Sequence, residues 1–267
     1  LEEAIASLRG GRPVELTVAG RTDRGVHAWA QVASYPDDPV RVEGLNALLP
    51  DDVAALACEV APDGFDARRD ATSRTYCYRV LPRRRPSVFE HRRALRWPGP
   101  IDRAALDACA AALVGTHDFT AFTPTETEHV RFTRDVFEAR WVDNGELLEF
   151  WIRADSFMRH MNRVLVGTML EVAGGRRSIG SFVDLLQGRP RVAAGPTAPP
   201  HGLYFAAVGF GERPPRRLTS QRGAPAPVPV EEDDEGQDGQ DEQDRVHDGP
   251  AGDGDDQQHD PQDEPQH

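Results

Sequence analysis

Apolar positions recur along this chain in two rhythms, and the switches between them mark its elements. Leu1, Ile5 and Leu8 share the spacing of one helix face, and Gly10-Gly11 follow as a stop. Val14, Leu16 and Val18 then alternate with polar residues, the mark of a half-buried strand. A second β-like run covers Trp29 to Tyr35. Val42, Leu45, Leu48 and Leu49 return to helical spacing as far as Pro50, and Val53 to Val60 reads as another strand. This part of the chain predicts half of an α/β sandwich with antiparallel pairing.

The same logic repeats with longer elements. Thr75 to Leu81 reads as a strand leading into Arg83-Arg84-Arg85-Pro86. Asp102 stands as an N-cap for a helix reaching Leu113. Phe132 to Val142 and Leu147 to Ile152 flank Asp143-Asn144-Gly145, a strong hairpin signal. Phe157, Met161, Val164, Leu165, Thr168, Met169 and Val172 form a long helix face closed by Gly174-Gly175. A short helix over Ser181 to Leu186 and a strand over Leu203 to Phe210 complete the pattern. The class is α+β, in two halves.

Charge changes the picture only once it is divided. The 267 residues carry a formal net charge of -13, which taken whole argues against a nucleic-acid partner. From Glu231 onward, however, 16 acidic residues face a single basic one, Arg245. That leaves 30 basic and 28 acidic residues before it, a net of +2. The tail is rich in Asp, Gln, Gly and Pro, too polar to bury a core, and reads as disordered behind a linker holding Pro214, Pro215, Pro225, Pro227 and Pro229. It suits a dispensable tail, a solubilising brush or a competitor of RNA for basic surface. All 31 basic residues are Arg, so lysine Schiff-base chemistry is excluded and phosphate contacts fall to guanidinium, main-chain or neutral polar groups. Cys58, Cys77 and Cys109 are scattered, which suits small core residues in a reduced, cytoplasmic protein. No His spacing suggests zinc, and no apolar run reaches membrane-spanning length.

The candidate chemistry sits between the first two strands, in Gly20-Arg21-Thr22-Asp23-Arg24-Gly25-Val26-His27-Ala28. Asp23 is a carboxylate on a glycine-bounded loop with an arginine on either side. Such a group can be a nucleophile, a general base or a metal ligand. It can equally be a turn former bonding its own backbone.

The full string resembles the motif G-R-T-D-x-G-V-H-A around the catalytic aspartate of the tRNA pseudouridine synthase A family, with Arg24 where a small residue is usual. Three further stretches resemble the same family in the same order. Gly44-Leu45-Asn46-Ala47-Leu48-Leu49-Pro50 is similar to its L-N-x-x-L-P segment. Phe65-Asp66-Ala67-Arg68 with Ser73-Arg74-Thr75-Tyr76-Cys77-Tyr78 is similar to its F-x-A-R…Y-x-Y segment. Phe157 to Gly167 is similar to its F-x-x-x-M-V-R-x-x-V-G helix, with Asn162 replacing an apolar residue. The resemblance runs from about Leu1 to Phe210.

The resemblance implies two ferredoxin-like α/β halves, 1–66 and 67–212, sharing a mixed, mostly antiparallel sheet with the active cleft between them and the tail over 213–267. It also implies an N-terminal strand and a loop with Y-D-G and G-W-x-x-Q ahead of the first helix. Leu1 already falls in that helix, so an N-terminal domain lacking its first strand is expected. The implied activity is isomerisation of uridine to pseudouridine at positions 38 to 40 of tRNA, with Asp23 catalytic and neither cofactor nor metal. Arg163 would pair with Asp23. Tyr76 would stack near the target base, although Tyr78, two residues on, faces the same side of the strand. Arg21 would contact the target phosphate or fill the space left by the flipped base. His27 suits a structural hydrogen bond. Arg68, Arg69, Arg74, Arg83, Arg84, Arg85, Arg92 and Arg93 are candidates for phosphate contacts. The expected partners are tRNA and a second copy of the chain, with no membrane. The rivals are a non-catalytic tRNA-binding or folding protein, an inactive fragment, and a glycoside hydrolase. The last wants two flanking carboxylates, for which only Asp66 is offered within the motifs.

Overall fold

The computed structural model describes residues 1–127 and 129–212. The Pro-rich linker and acidic tail lie outside the described residues. The fold is mixed α/β, built on a mixed sheet. The element order is α1 (Glu2–Leu8), β1 (Thr17–Val18), β2 (His27–Ala28), β3 (Ala33–Ser34), α2 (Val42–Asn46), β4 (Ser73–Leu81), β5 (Leu95–Arg96) and α3 (Arg103–Leu113). It continues with β6 (Gly115–Asp118), β7 (Thr133–Asn144), β8 (Leu147–Ala154), α4 (Met161–Ala173), α5 (Ile179–Leu185) and β9 (Leu203–Gly209).

The main sheet runs β2-β9-β4-β8-β7-β6, with β5 paired to β4 outside that path. β2 with β9 and β5 with β4 are parallel, and the other pairings are antiparallel. The β7–β8 hairpin closes on Gly145-Glu146, because Asn144 pairs with Leu147. Gly145 takes the left-handed conformation (φ +61) that such a tight turn demands. Phe150, Ile152 and Ala154 alternate into the core from β8, opposite Tyr78 and Tyr76 of β4. α3 and α4 pack against each other, α3 over β7 and α4 over β4, and bury Leu106, Leu113, Met161, Leu165 and Met169. Asp102 caps α3 by accepting a 3.1 Å bond from the Ala105 N–H.

The first sixty residues depart from the expected pattern. The runs 14–18 and 29–35 yield only two-residue strands, and β1 pairs with β3 in a sheet of their own. Of these three, only β2 joins the main sheet. Side-chain amides have taken the place of ladder bonds: Gln31 donates to the Gly20 carbonyl (2.7 Å) and accepts from its N–H (3.3 Å). The strand expected over Val53 to Val60 does not form. Asn46 satisfies both the N–H and the carbonyl of Ala55, and Leu56 and Val60 are more than three-quarters exposed, so no apolar face is buried there to favour a ladder. Cys58 in this stretch is half-buried and touches the Tyr35 hydroxyl, whereas Cys77 and Cys109 are core residues. Ala4, Ile5 and Leu45 form a small separate core between α1 and α2. Among the described residues no helix is long and apolar enough to cross a membrane.

Candidate active site

A cleft of about 910 Å³ opens where the 19–26 loop, β4 and the start of α4 meet. Two features shape the loop. Gly25 has φ +86, and an added side chain there would also press on Pro200. A Cβ at Gly20 would come within 3.1 Å of the Phe205 ring. The turn is closed by the Val26 N–H donating to the Asp23 carbonyl (3.0 Å), which leaves the Asp23 carboxylate facing the cleft.

Arg74 fastens this loop to the sheet. Its guanidinium donates to the carbonyls of Ala19, Arg68, Ala71 and Asp155 at 2.7–3.3 Å. Burial lowers its pKa from the ordinary arginine value. Although Arg74 lines the cleft, its donors go to main-chain oxygens, which corrects its expected role as a phosphate contact. Arg68 also lines the cleft, whereas Arg69 and Arg83 are committed to Asp70 and Glu146.

The structure brings Asp23, Arg163, Tyr76 and Arg21 to this one cleft. Arg163 Nη1 donates to Asp23 Oδ2 at 2.8 Å, and its Nε donates to the Ala198 carbonyl at 2.7 Å. The Ala198 N–H in turn donates to the Arg163 carbonyl (3.0 Å). This close stitching needs glycine. A Cβ on Gly167 would fall 1.9 Å from the Pro196 carbonyl oxygen, and one on Gly195 would fall 2.9 Å from Thr168 Cα. Thr168 Oγ1 completes the seam by accepting from the Gly195 N–H (3.0 Å).

Tyr76 meets Phe157 edge-on (centroids 5.0 Å apart) and Phe205 at a tilt (4.9 Å). A register shift between β4 and β9 falls between Thr75 and Tyr76, a distortion that re-aims side chains. Burial pushes the Tyr76 phenol up to about 12, so it is neutral across the physiological range. Tyr78 is separated from it in the structure: it is fully buried and donates to the Pro199 carbonyl (2.8 Å). His27 bonds the Arg92 carbonyl (2.9 Å) and stacks on Tyr204. Asp66 bonds the N–H groups of Arg68 and Arg69 and does not line the cleft.

Several cleft residues escaped the sequence reading. His160 precedes α4 with φ +62, and its Nε2 lies 3.3 Å from Asp23 Oδ2. The left-handed conformation tolerates His better than most residues, but its aim at Asp23 is set by the tertiary fold. Burial, helped by Arg163, Arg159 and Arg191 and opposed by Asp23, holds its pKa below the usual histidine value. Arg134 and Arg159 add cationic wall, and Glu126 adds an acid. All four lie outside the loop that draws attention in the sequence. Among the described residues no group of three His, Cys, Asp or Glu is placed to hold a metal ion.

Comparison with known proteins gives the same direction. A family model described as tRNA pseudouridine synthase matches residues 109–211. A tRNA pseudouridine synthase A of Myxococcus xanthus is 40% identical over 226 residues, covering 81% of this chain and 84% of the relative. Those of Bacillus velezensis and Bacillus subtilis are 37% and 36% identical, each covering 79% of this chain and 87% of the relative.

Proposed function

The chain belongs to the tRNA pseudouridine synthase family, and from that premise we propose that it isomerises uridine to pseudouridine in tRNA, at positions 38 to 40 of the anticodon arm, with Asp23 as the reacting carboxylate. The observation that carries this reading is the Asp23–Arg163 pair inside an arginine-walled cleft beside Tyr76.

The chemistry asks little beyond that arrangement. The bond from ribose C1′ to N1 breaks and a bond from C1′ to C5 forms. C5 gives up its proton, N1 ends with one, and no electrons are exchanged with another reagent. A carboxylate starts the sequence by attacking the sugar or base, or by abstracting a proton, and in this reading nothing else need be supplied. Arg163 orients that carboxylate through a charge-assisted bond. Tyr76 offers an apolar ring against which an extruded base can lie. Arg21, Arg68 and Arg159 supply positive charge toward the flanking phosphates. The working unit in this reading is a homodimer. The run β4, α3, β7, β8, α4, β9, with sheet order β9-β4-β8-β7, supports a ferredoxin-like second half.

The test is to map pseudouridine in unmodified tRNA after incubation with the full chain and no added metal or cofactor. Conversion confined to the anticodon arm is expected. Binding of tRNA without any conversion would favour the non-catalytic rival.

A further inference from the structure

Asn162 is a polar residue at a place where the motif resemblance puts an apolar one. It lies in the first turn of α4 between the fully buried Met161 and the Asp23-binding Arg163. Asn162 lines the cleft, is only 4% exposed, and its Oδ1 has no hydrogen-bond partner among the described residues. A buried acceptor without a partner destabilises a protein, because it has lost water and gained nothing. An aliphatic side chain of similar size would avoid that penalty, so the amide at this position calls for a donor, and a bound substrate can bring one.

The other unpartnered buried atoms among the described residues do not share this character. Most are nitrogens. The other acceptor, Glu90 Oε2, lies 3.3 Å from Arg79 Nη1 in an ion pair. Arg134 also lines the cleft with Nε unpartnered, but its Nη1 donates to the carbonyls of Arg131 and Thr133.

We propose that Asn162 recognises the edge of the extruded base, its amide oxygen accepting the uracil N3–H. This rests on the uridine reading above. A base lying against Tyr76 with its sugar toward Asp23 presents its edge to the rest of the cleft lining, of which Asn162 is part. N3–H is the only donor on that edge of uracil. The flanking O2 or O4 can accept from the other end of the same amide, giving the paired contact by which Asn reads bases. The shielded oxygen is reached through side-chain adjustment of the kind binding commonly brings.

The experiment pairs Asn162→Val with a modified substrate. Anticodon stem-loop RNA carrying uridine or N3-methyluridine at the target is bound to wild type and variant, and conversion of the uridine form is followed in single turnover. For uridine RNA the variant should bind about 3- to 10-fold more weakly, the loss expected for one neutral hydrogen bond. It should nevertheless melt at the same temperature or higher. N3-methylation, which removes the donor, should weaken binding to wild type more than to Asn162→Val. Equal uridine binding by the two proteins, or equal methylation penalties with a lower melting temperature for the variant, would overturn the assignment of Asn162 alone. Failure of wild type to convert uridine would overturn the uridine reading itself, and this proposal with it.

Discussion

At the scale of single residues, Arg163 is the side chain whose geometry is least replaceable. One rigid plane serves two directions, Nε to the Ala198 carbonyl and Nη1 to Asp23. A lysine offers its donors from one point and cannot reproduce that fork. Losing a charge-assisted bond of about 1.5–3 kcal/mol corresponds to roughly 10- to 100-fold in rate. Arg163→Lys is therefore expected to lower kcat/KM for tRNA by that factor while leaving the circular dichroism spectrum unchanged. His160 makes a different, pH-dependent prediction. Its pKa is lowered by burial among Arg163, Arg159 and Arg191, only partly offset by Asp23. Between the folded value and the unfolded reference of about 6.5, the unfolded chain binds a proton that the native protein refuses. Stability is thus full above about pH 6.5 and falls as the solution is acidified. Asn tolerates the φ of +62 and does not titrate. Melting temperatures from pH 7.5 to 5.5 should fall less steeply for His160→Asn than for wild type. His201, also lowered by burial, is common to both proteins and cancels in the comparison.

At the scale of elements, α4 is the organiser, and it works through what its glycine lacks. A Cβ on Gly167 would overlap the Pro196 carbonyl, 1.9 Å away, and push off the segment that holds Arg163. Gly167→Ala is expected to cost about 1–3 kcal/mol by overpacking, measured by urea unfolding, and to lower activity through Arg163 as well. An unchanged urea midpoint would contradict this seam. The elements legible in the sequence were those carrying their own signals. The β7–β8 hairpin announced itself through alternation and Asn144-Gly145, and α3 through Asp102 and its periodic apolar face. The illegible ones depend on distant partners. Val53 to Val60 has strand composition but finds the Asn46 side chain rather than a neighbouring strand. β6 pairs with β7 through Gly115 to Asp118, a stretch with no apolar alternation to betray it.

At the scale of the whole molecule, the cleft gathers residues from three separated stretches, 19–26, 68–76 and 126–163, with Leu203 at its edge. Motif strings could point to Asp23, Tyr76 and Arg163 because each sits in a distinctive local sequence. They could not show that Arg74 spends its charge on four carbonyls, or that His160 reaches Asp23, since those are facts of tertiary approach. Strand periodicity alone could not separate Tyr76 from Tyr78, which share one face of β4 and differ only once Phe157 and the 199–200 segment pack against them. The central claim is that Asp23, held by Arg163, does the chemistry. Its most direct test is single-turnover pseudouridine formation by Asp23→Asn, with tRNA binding measured on the same sample. The amide is nearly isosteric but can act neither as nucleophile nor as base. Binding within a few-fold of wild type with no detectable pseudouridine is the expected result. Pseudouridine formed at the wild-type rate by Asp23→Asn would contradict the claim outright.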